Sequence, residues 1–281
     1  MTDRYVLFGN PVAHSPSPSI HAAFARQTGQ DLSYQRQWVA LGEFDAAAGA
    51  FFAGGGCGGN VTLPFKEDAF RFAHHLTERA RRAGAVNTLM RERDDRVLGD
   101  NTDGIGLVRD LMANLGWLIA GRRILVLGAG GATRGALGPL LAERPAALHI
   151  ANRTAEKAIA LARAFVDLGP VSGSGYPGLA GQQPFDLVIN ATSASLAGEV
   201  PVLPTRVMDE GGAAYDMMYG AEPTPFLCWA ETQGVARSAD GLGMLVEQAA
   251  ESFALWRGVR PNTSAVIAST RQGLAERRPT R

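Results

Sequence analysis

From Tyr5 onward, short apolar runs alternate with stretches of helical period. "YVLFG" predicts a strand, and "PSIHAAFARQTG" a helix ended by Gly29. "LSYQRQWVA" predicts the next strand and "GEFDAAAGAFFAGG" a second helix with a glycine stop. "GGNVTL" reads as a strand, "PFKEDAFRFAHHL" as a helix, and "AVNTLMRERDDRVLGDNTD" as two strands around a charged turn at Asp94 and Asp95. Such alternation implies a mostly parallel sheet with helices on both faces.

The pattern then restarts. "DGIGLVRDLMANLGW" predicts a helix leading into "RRILVLGAGGATRGALGPLLAE", a strand, glycine turn and helix. The strand "ALHIANRT", the helix "AEKAIALARAFVDLG" and the strand "FDLVINATS" complete a βαβαβ series, the mononucleotide-binding half of a Rossmann fold. "GGAAYDMMYG" reads as another buried strand, "GLGMLVEQAAESFALWRGV" as a long amphipathic helix, and "TSAVIASTRQGLAE" as a last helix before a charged tail. The expected fold class is α/β in two domains: an N-terminal domain over 1–103, a Rossmann domain over 104–240, and the helices of 241–281 packing back on the first, with a hinge near Asp103 and Gly104.

Composition narrows the function. The 281 residues suffice for two cores, and 27 basic against 27 acidic residues leave no charge footprint for nucleic acid or a membrane surface. Cys57 and Cys228 are too few and too far apart for a disulfide framework or zinc site, and no other ligand cluster suggests a metal. Without a signal pattern or a spanning apolar run, the chain reads as a reduced, cytoplasmic protein.

"ILVLGAGGATRGAL" sets Gly128, Gly130 and Gly131 between an apolar strand and a helix. Glycine lets backbone approach a pyrophosphate, and a helix N-terminus supplies free N–H groups and partial positive charge. Thr133 stands where the usual pattern has its third glycine, so a tight structural turn is the competing reading. An NAD site wants an acidic residue at the end of the next strand, whereas "IANRTAEK" offers Asn152, Arg153, Thr154 and Lys157. A guanidinium with an ammonium four residues on can clamp a 2′-phosphate, which points to NADP over a merely solvated helix start.

Lysine occurs only at Lys66 and Lys157, all other basic residues being arginine. Lys66 follows Pro64, which suits the first position of a helix, so it falls in a first turn, where the helix end disfavours cations. Arginine stays protonated, whereas lysine can serve as an acid or base, so Lys66 is either a chance surface residue or catalytic. Asp103 is either the N-cap of the inter-domain helix or its catalytic partner. Asn87 ends a segment of the same sheet. Ser15 and Ser17, on the loop "HSPSPSIH", either cap a helix or cradle a carboxylate. His14 and His21 beside them read as structural, and Cys57 as filler in a glycine-rich loop.

In order, "HSPSPSIH", "GGNVTLPFKE", "GAVNTL", "GDNTDG", "LGAGGATR", "ANRTAEKA", "INATS", "YDMMY", "TPFL" and "DGLGMLVEQAAESFALWRG" span nearly the whole chain. The set resembles shikimate dehydrogenase, the NADP-dependent oxidoreductase that reduces 3-dehydroshikimate in chorismate and aromatic amino-acid biosynthesis. The resemblance implies that Ser15 and Ser17 hold the substrate carboxylate, with Tyr219 closing over it. Thr62, Lys66, Asn87, Asp103 and Gln248 would bind the ring hydroxyls, with Lys66 and Asp103 as the acid–base pair. Gly128, Ala129, Gly130, Gly131 and Ala132 would cradle the pyrophosphate, and Asn152, Arg153, Thr154 and Lys157 the 2′-phosphate. Met217 and Gly241 match positions beside the nicotinamide, although Met217, Met218 and Tyr219 equally suit a buried strand. Glu78 is a further cofactor-side position that otherwise reads as solvated.

The chain departs from the family after His21, where Ala22 and Ala23 stand and an asparagine is common. The implied partner is small (shikimate or 3-dehydroshikimate), with no nucleic acid or membrane and a monomer or homodimer as the assembly. A quinate or aminoshikimate relative would share most of these residues. A non-catalytic ligand-binding homologue would be expected to have lost Lys66, Asp103 or the glycine turn, and this chain keeps all three.

Overall fold

In the computed structural model, residues 2–192, 194, 200–204, 206–235 and 237–276 are described. Ser193 of "INATS" and the charged tail 277–281 lie outside the described residues. The chain divides into two compact units, one comprising Met1–Gly106 and Val246–Thr270, the other Leu107–Leu245 and Arg271–Arg281. The chain therefore leaves the first unit three residues beyond the expected hinge. Of the C-terminal segment expected to pack on the first domain, only Val246–Thr270 joins that unit.

The first unit runs β1 (Asp3–Gly9), α1 (Ser17–Thr28), β2 (Leu32–Trp38), α2 (Phe44–Ala53), β3 (Gly58–Val61), α3 (Lys66–Phe72), β4 (His75–Leu76), α4 (Glu78–Ala83), β5 (Thr88–Arg91), β6 (Val97–Asp100) and α5 (Asp103–Arg109), whose last turn passes into the second unit. Its sheet has the order β2-β1-β3-β5-β6-β4, parallel except for β5, which is antiparallel to both neighbours. Side chains alternate faces along a strand. Val6 and Phe8 of β1 accordingly pack with Phe44, Phe52 and Phe65, while Tyr5 stacks on Trp256 at 4.6 Å from the opposite face. The helix expected over 64–76 is shorter. It starts at Lys66 and stops at Phe72, and His75 and Leu76 pair with β6 instead.

The second unit continues with β7 (Arg123–Leu127), α6 (Gly131–Ala142), β8 (Ala147–Asn152), α7 (Ala155–Arg163), β9 (Val171–Gly175), β10 (Phe185–Asn190), β11 (Met208–Asp216), α8 (Pro225–Thr232) and β12 (Arg237–Asp240). Its six strands are all parallel in the order β12-β11-β10-β7-β8-β9, the doubly wound Rossmann order. Ile124 and Val126 of β7 face Leu137, Leu140 and Leu161, whereas Leu125 and Leu127 face Leu179, Phe226 and Leu227. Last come α9 (Leu242–Arg257) and α10 (Ser264–Glu276). Among the described residues no helix is long and apolar enough to cross a membrane, and no group of histidine, cysteine and carboxylate side chains could hold a metal ion.

Candidate active site

Reversal of β5 is what assembles the polar end of the first sheet. Parallel strands β3 and β6 finish where antiparallel β5 begins, so Asn60, Thr88 and Asp100 stand side by side in the register. The residues just beyond them, Thr62, Asn87 and Asp103, therefore share one edge. This is the carboxyl edge of the parallel strands, where open α/β sheets bind ligands.

Lys66 opens α3, after a turn in which Phe65 N–H donates to the Thr62 carbonyl at 3.0 Å and the Leu63–Pro64 bond is cis. Pro64 thus precedes the helix, two residues before the position expected for it. Lys66 Nζ donates to Asp103 Oδ2 at 2.6 Å, with the lysine side chain 26% and the aspartate 11% exposed. Asp103 is the first residue of α5, not its cap. Its own N–H is taken by Asn101 Oδ1 at 3.2 Å, which leaves the carboxylate for other partners. Asn87 Nδ2 donates to Asp103 Oδ1 at 2.7 Å, while Asn87 Oδ1 accepts the Thr102 N–H at 2.9 Å. Gln248, on α9, brings Oε1 within 3.3 Å of Asn87 Nδ2.

At the start of α1, Ser15 Oγ donates to Ser17 Oγ at 3.0 Å and accepts the Ser17 N–H at 3.3 Å. Pro16 occupies the cap position and no side chain caps the helix, so capping by Ser17 is not found. Arg36 of β2 holds the loop through the Ser15 carbonyl. His21 is fully buried, stacked on Tyr34 at 4.2 Å, and neither ring nitrogen makes a hydrogen bond. Burial pushes its pKa down to about 3, against a weaker upward pull from Asn60. The ring is a neutral packing element and offers no acid or base.

In the second unit Gly128 has φ +101°, a conformation suited to glycine, and its N–H donates to the Ala151 carbonyl at 2.8 Å. A side-chain carbon added at Gly130 or Gly131 would meet nothing within 4 Å, so open space lies over the N-terminus of α6. Thr133 is fully buried and donates to the Gly128 carbonyl at 2.8 Å, closing the turn from the position of the missing third glycine. Beyond β8, Asn152 Nδ2 bonds the Thr154 carbonyl at 3.0 Å, and exposed Arg153 and Lys157 make no ion pair among the described residues. A pyrophosphate on the α6 N-terminus and a 2′-phosphate beside two free cations fit these residues.

Four other expected positions have structural surroundings of their own. A side-chain carbon at Gly241 would sit 2.2 Å from the Met217 carbonyl oxygen, and Met217 itself is buried against the core of β7 and β10. Tyr219 follows β11 in the second unit, and burial raises its pKa with help from Asp240. Glu78 is exposed at the start of α4 in the first unit and pairs with Arg81 and Arg82. Asn60, Thr102, Tyr34 and Ser252, which the sequence did not single out, complete the hydrogen-bonded floor under Asn87. Asn60 and Thr102 sit inside the quoted motifs, so motif membership was the available signal.

Comparisons with known proteins identify the family. Residues 7–89 match the shikimate dehydrogenase substrate binding domain, 112–199 the shikimate/quinate 5-dehydrogenase family, and 241–270 the shikimate 5'-dehydrogenase C-terminal domain. A relative named shikimate dehydrogenase (NADP(+)) from Cellvibrio japonicus is 59% identical over 278 residues, covering 99% of this chain and 100% of its own length. The chain belongs to the shikimate dehydrogenase family. Among solved shikimate dehydrogenases, the Thermus thermophilus enzyme in complex with NADP(H) and shikimate superposes with TM-score 0.85 at 33% identity, over 97% of this chain and 100% of that one. An Ael1 enzyme from Pseudomonas putida superposes with TM-score 0.91 at 50% identity, over 95% and 98%. The shikimate dehydrogenase fold thus extends over both units.

Proposed function

We propose that this chain is an NADP-dependent shikimate dehydrogenase that reversibly reduces 3-dehydroshikimate to shikimate, a step of aromatic amino-acid biosynthesis. The observation that carries the reading is the Lys66–Asp103 pair at 2.6 Å, braced by Asn87 at the carboxyl edge of the first sheet. On this reading the first unit takes the substrate and the second takes NADP. Ser15 and Ser17 hold the carboxylate, while Thr62, Asn87 and Gln248 orient the ring hydroxyls. Gly128, Ala129, Gly130, Gly131 and Ala132 bind the pyrophosphate, Asn152, Arg153, Thr154 and Lys157 bind the 2′-phosphate, and Met217 and Gly241 complete the cofactor positions.

Bound NADPH supplies the hydride that converts the C3 carbonyl to an alcohol. Lys66 Nζ delivers the proton to the forming alkoxide oxygen, and in the reverse direction it takes that proton back. Asp103 holds the ammonium through Oδ2 and is itself held through Oδ1 by Asn87, so the donor is fixed before substrate arrives. The enzyme is read as cytoplasmic, and as a monomer or homodimer.

The test follows NADPH absorbance with shikimate and NADP⁺, beside quinate and NAD⁺, for wild type and Lys66→Arg. Shikimate with NADP⁺ should be the fastest pairing. Lys66→Arg should lower kcat by roughly 100- to 10,000-fold while shikimate still binds. Faster turnover of quinate would reassign the substrate, and a wild type inert in every pairing would overturn the enzymatic reading.

A further inference from the structure

Two of the quoted motifs carry buried polar residues that the proposed chemistry does not use. Asn190 of "INATS" ends β10, Asp216 of "YDMMY" ends β11, and the two are paired in the register of the Rossmann sheet. Both are fully buried. Asp216 Oδ1 accepts from Asn190 Nδ2 at 3.1 Å and from the Met218 N–H at 3.0 Å, while Oδ2 accepts from Thr224 Oγ1 at 2.6 Å. The Asn190 amide cannot be turned round, because its Oδ1 takes the Thr192 N–H at 3.1 Å, a group that only donates. Thr192 Oγ1 donates to the same oxygen at 2.7 Å. The backbone adds a further tie, from the Met217 N–H to the Asn190 carbonyl at 2.9 Å. One carboxylate thus joins the two segments, 190–192 and 217–218, that lead off the carboxyl ends of neighbouring strands. Each segment is pressed against a glycine of the candidate cofactor site. A side-chain carbon at Gly128 would meet Thr192 Cγ2 at 3.1 Å, and one at Gly241 would meet the Met217 carbonyl oxygen at 2.2 Å.

We infer that Asp216 is a positioning residue for the nicotinamide end of the cofactor, fixing the turn of Met217 and the segment of Thr192 as one rigid ledge. This rests on the functional reading above, which puts Met217 and Gly241 beside the nicotinamide. Removing the carboxylate strips Asn190 Nδ2 and the Met218 N–H of this acceptor and releases the two segments from each other. The adenosine end is held elsewhere, since Asn152, Arg153 and Lys157 follow β8, on the far side of β7 in the sheet. The loss therefore falls on the placement of the hydride donor, where a small displacement slows transfer more than it weakens binding.

Asp216→Ala and Asp216→Asn test this through kcat for shikimate oxidation and calorimetric Kd for NADP⁺, adenosine 2′,5′-bisphosphate and shikimate alone. The bisphosphate carries the adenosine end without the nicotinamide. Asp216→Ala should lower kcat about 10- to 100-fold and weaken NADP⁺ about three- to tenfold. Kd for the bisphosphate and for shikimate should stay within about twofold of wild type. Asp216→Asn can turn its amide oxygen toward Asn190 and Met218 and its nitrogen toward Thr224 Oγ1, which can accept. It should recover most of the lost kcat. Should Asp216→Ala not fold, Asn190→Ala cuts the same link from β10, keeps the Met218 and Thr224 bonds, and should show the same split in smaller measure. Equal losses on NADP⁺ and the bisphosphate would make Asp216 a structural residue of the whole unit and overturn the inference. An unchanged kcat in Asp216→Ala, or an asparagine variant as poor as the alanine one, overturns it too. Were wild type to bind NADP⁺ without oxidising shikimate, the functional reading would fall, while the contrast between NADP⁺ and the bisphosphate would still decide Asp216.

Discussion

Single residues here divide into those whose chemistry is used and those whose chemistry is suppressed. On the proposed reading Lys66 and Asp103 belong to the first kind; His21 belongs to the second. The ordinary pKa of His21 is 6.5 and its folded value about 3, so between those values the unfolded chain binds the extra proton. A depressed folded pKa gives stability that is complete above 6.5 and drains as pH falls, by up to about 1.4 kcal/mol per pH unit. His21→Phe keeps an aromatic ring beside Tyr34 and removes the titration. Urea midpoints between pH 7 and pH 4 should therefore fall less steeply in the variant than in wild type, and parallel curves would reject the assignment. Arg153 makes the complementary case at the cofactor end. Replacing Arg153 and Lys157 by Gln should raise KM for NADP⁺ about 10- to 100-fold and leave KM for NAD⁺ nearly unchanged, since each charge-assisted bond to the extra phosphate is lost. A comparable loss with both cofactors would mean that these cations do not read the 2′-phosphate.

Helices and strands carry those residues into register through buried charge. Arg79 of α4 bonds both oxygens of Asp100 on β6, whose Oδ1 also accepts from Thr77 and from the Asn101 N–H. The same guanidinium reaches Glu251 of α9 at 3.2 Å, one turn beyond Gln248, and Arg260 bonds both Glu251 and Glu247. Asp100 is fully buried, so Arg79→Leu would leave a carboxylate without its cation and cost about 3 kcal/mol or more. The expected outcome is a lower urea midpoint together with a higher shikimate KM, because both "GDNTD" and Gln248 lose a brace. An unchanged midpoint would show that the pair is not coupled to the fold. Little of this network was legible in the sequence. Arg79 and Glu251 look like ordinary solvated helix charges, and only the fold shows that they meet. The elements themselves were legible wherever apolar period was strong, as in β7, β10 and α9. They were not legible where packing overrides composition. β9 reads "VSGSG" because a side-chain carbon at Gly173 would strike the Ala158 carbonyl at 2.4 Å, and its serines bond both nitrogens of His149. The glycines that open β3, already read as strand in "GGNVTL", are likewise held by packing. Trp256 Nε1 comes within 2.8 Å of where a side chain on Gly58 would begin. The candidate site stood in the sequence as residue types at fixed spacing, and the turn at Asp94 and Asp95 already joined β5 to β6, but nothing in the short run "TLMR" showed that β5 also pairs antiparallel with β3.

At the scale of the whole chain the two units differ in how they are strung. The second owns all six strands of its sheet within Arg123–Asp240, and after Leu245 the chain returns to it only from Arg271 of α10, which pairs with Asp240. The first unit is discontinuous. Val246, Ala249, Ala250 and Phe253 of α9 are fully buried, Phe253 meets Phe24 at 5.7 Å, and Trp256 Nε1 donates to the Leu89 carbonyl at 3.0 Å. Several kilocalories per mole of apolar burial therefore reach the N-terminal sheet only after the Rossmann sheet has been synthesised, a large share of a typical domain stability of about 5–15 kcal/mol. A fragment ending at Leu245 should separate the two. Its second unit should remain folded and be stabilised by NADP⁺, as binding to the folded state alone requires, whereas its first unit should be open to protease. Limited proteolysis read by mass spectrometry gives the answer directly. Cuts confined to residues before Leu107, with NADP⁺ protecting only the segment from Leu107 to Leu245, are the expected pattern. Protection of the N-terminal sheet in that fragment would show that it closes its core without α9, and that the helix serves the site alone.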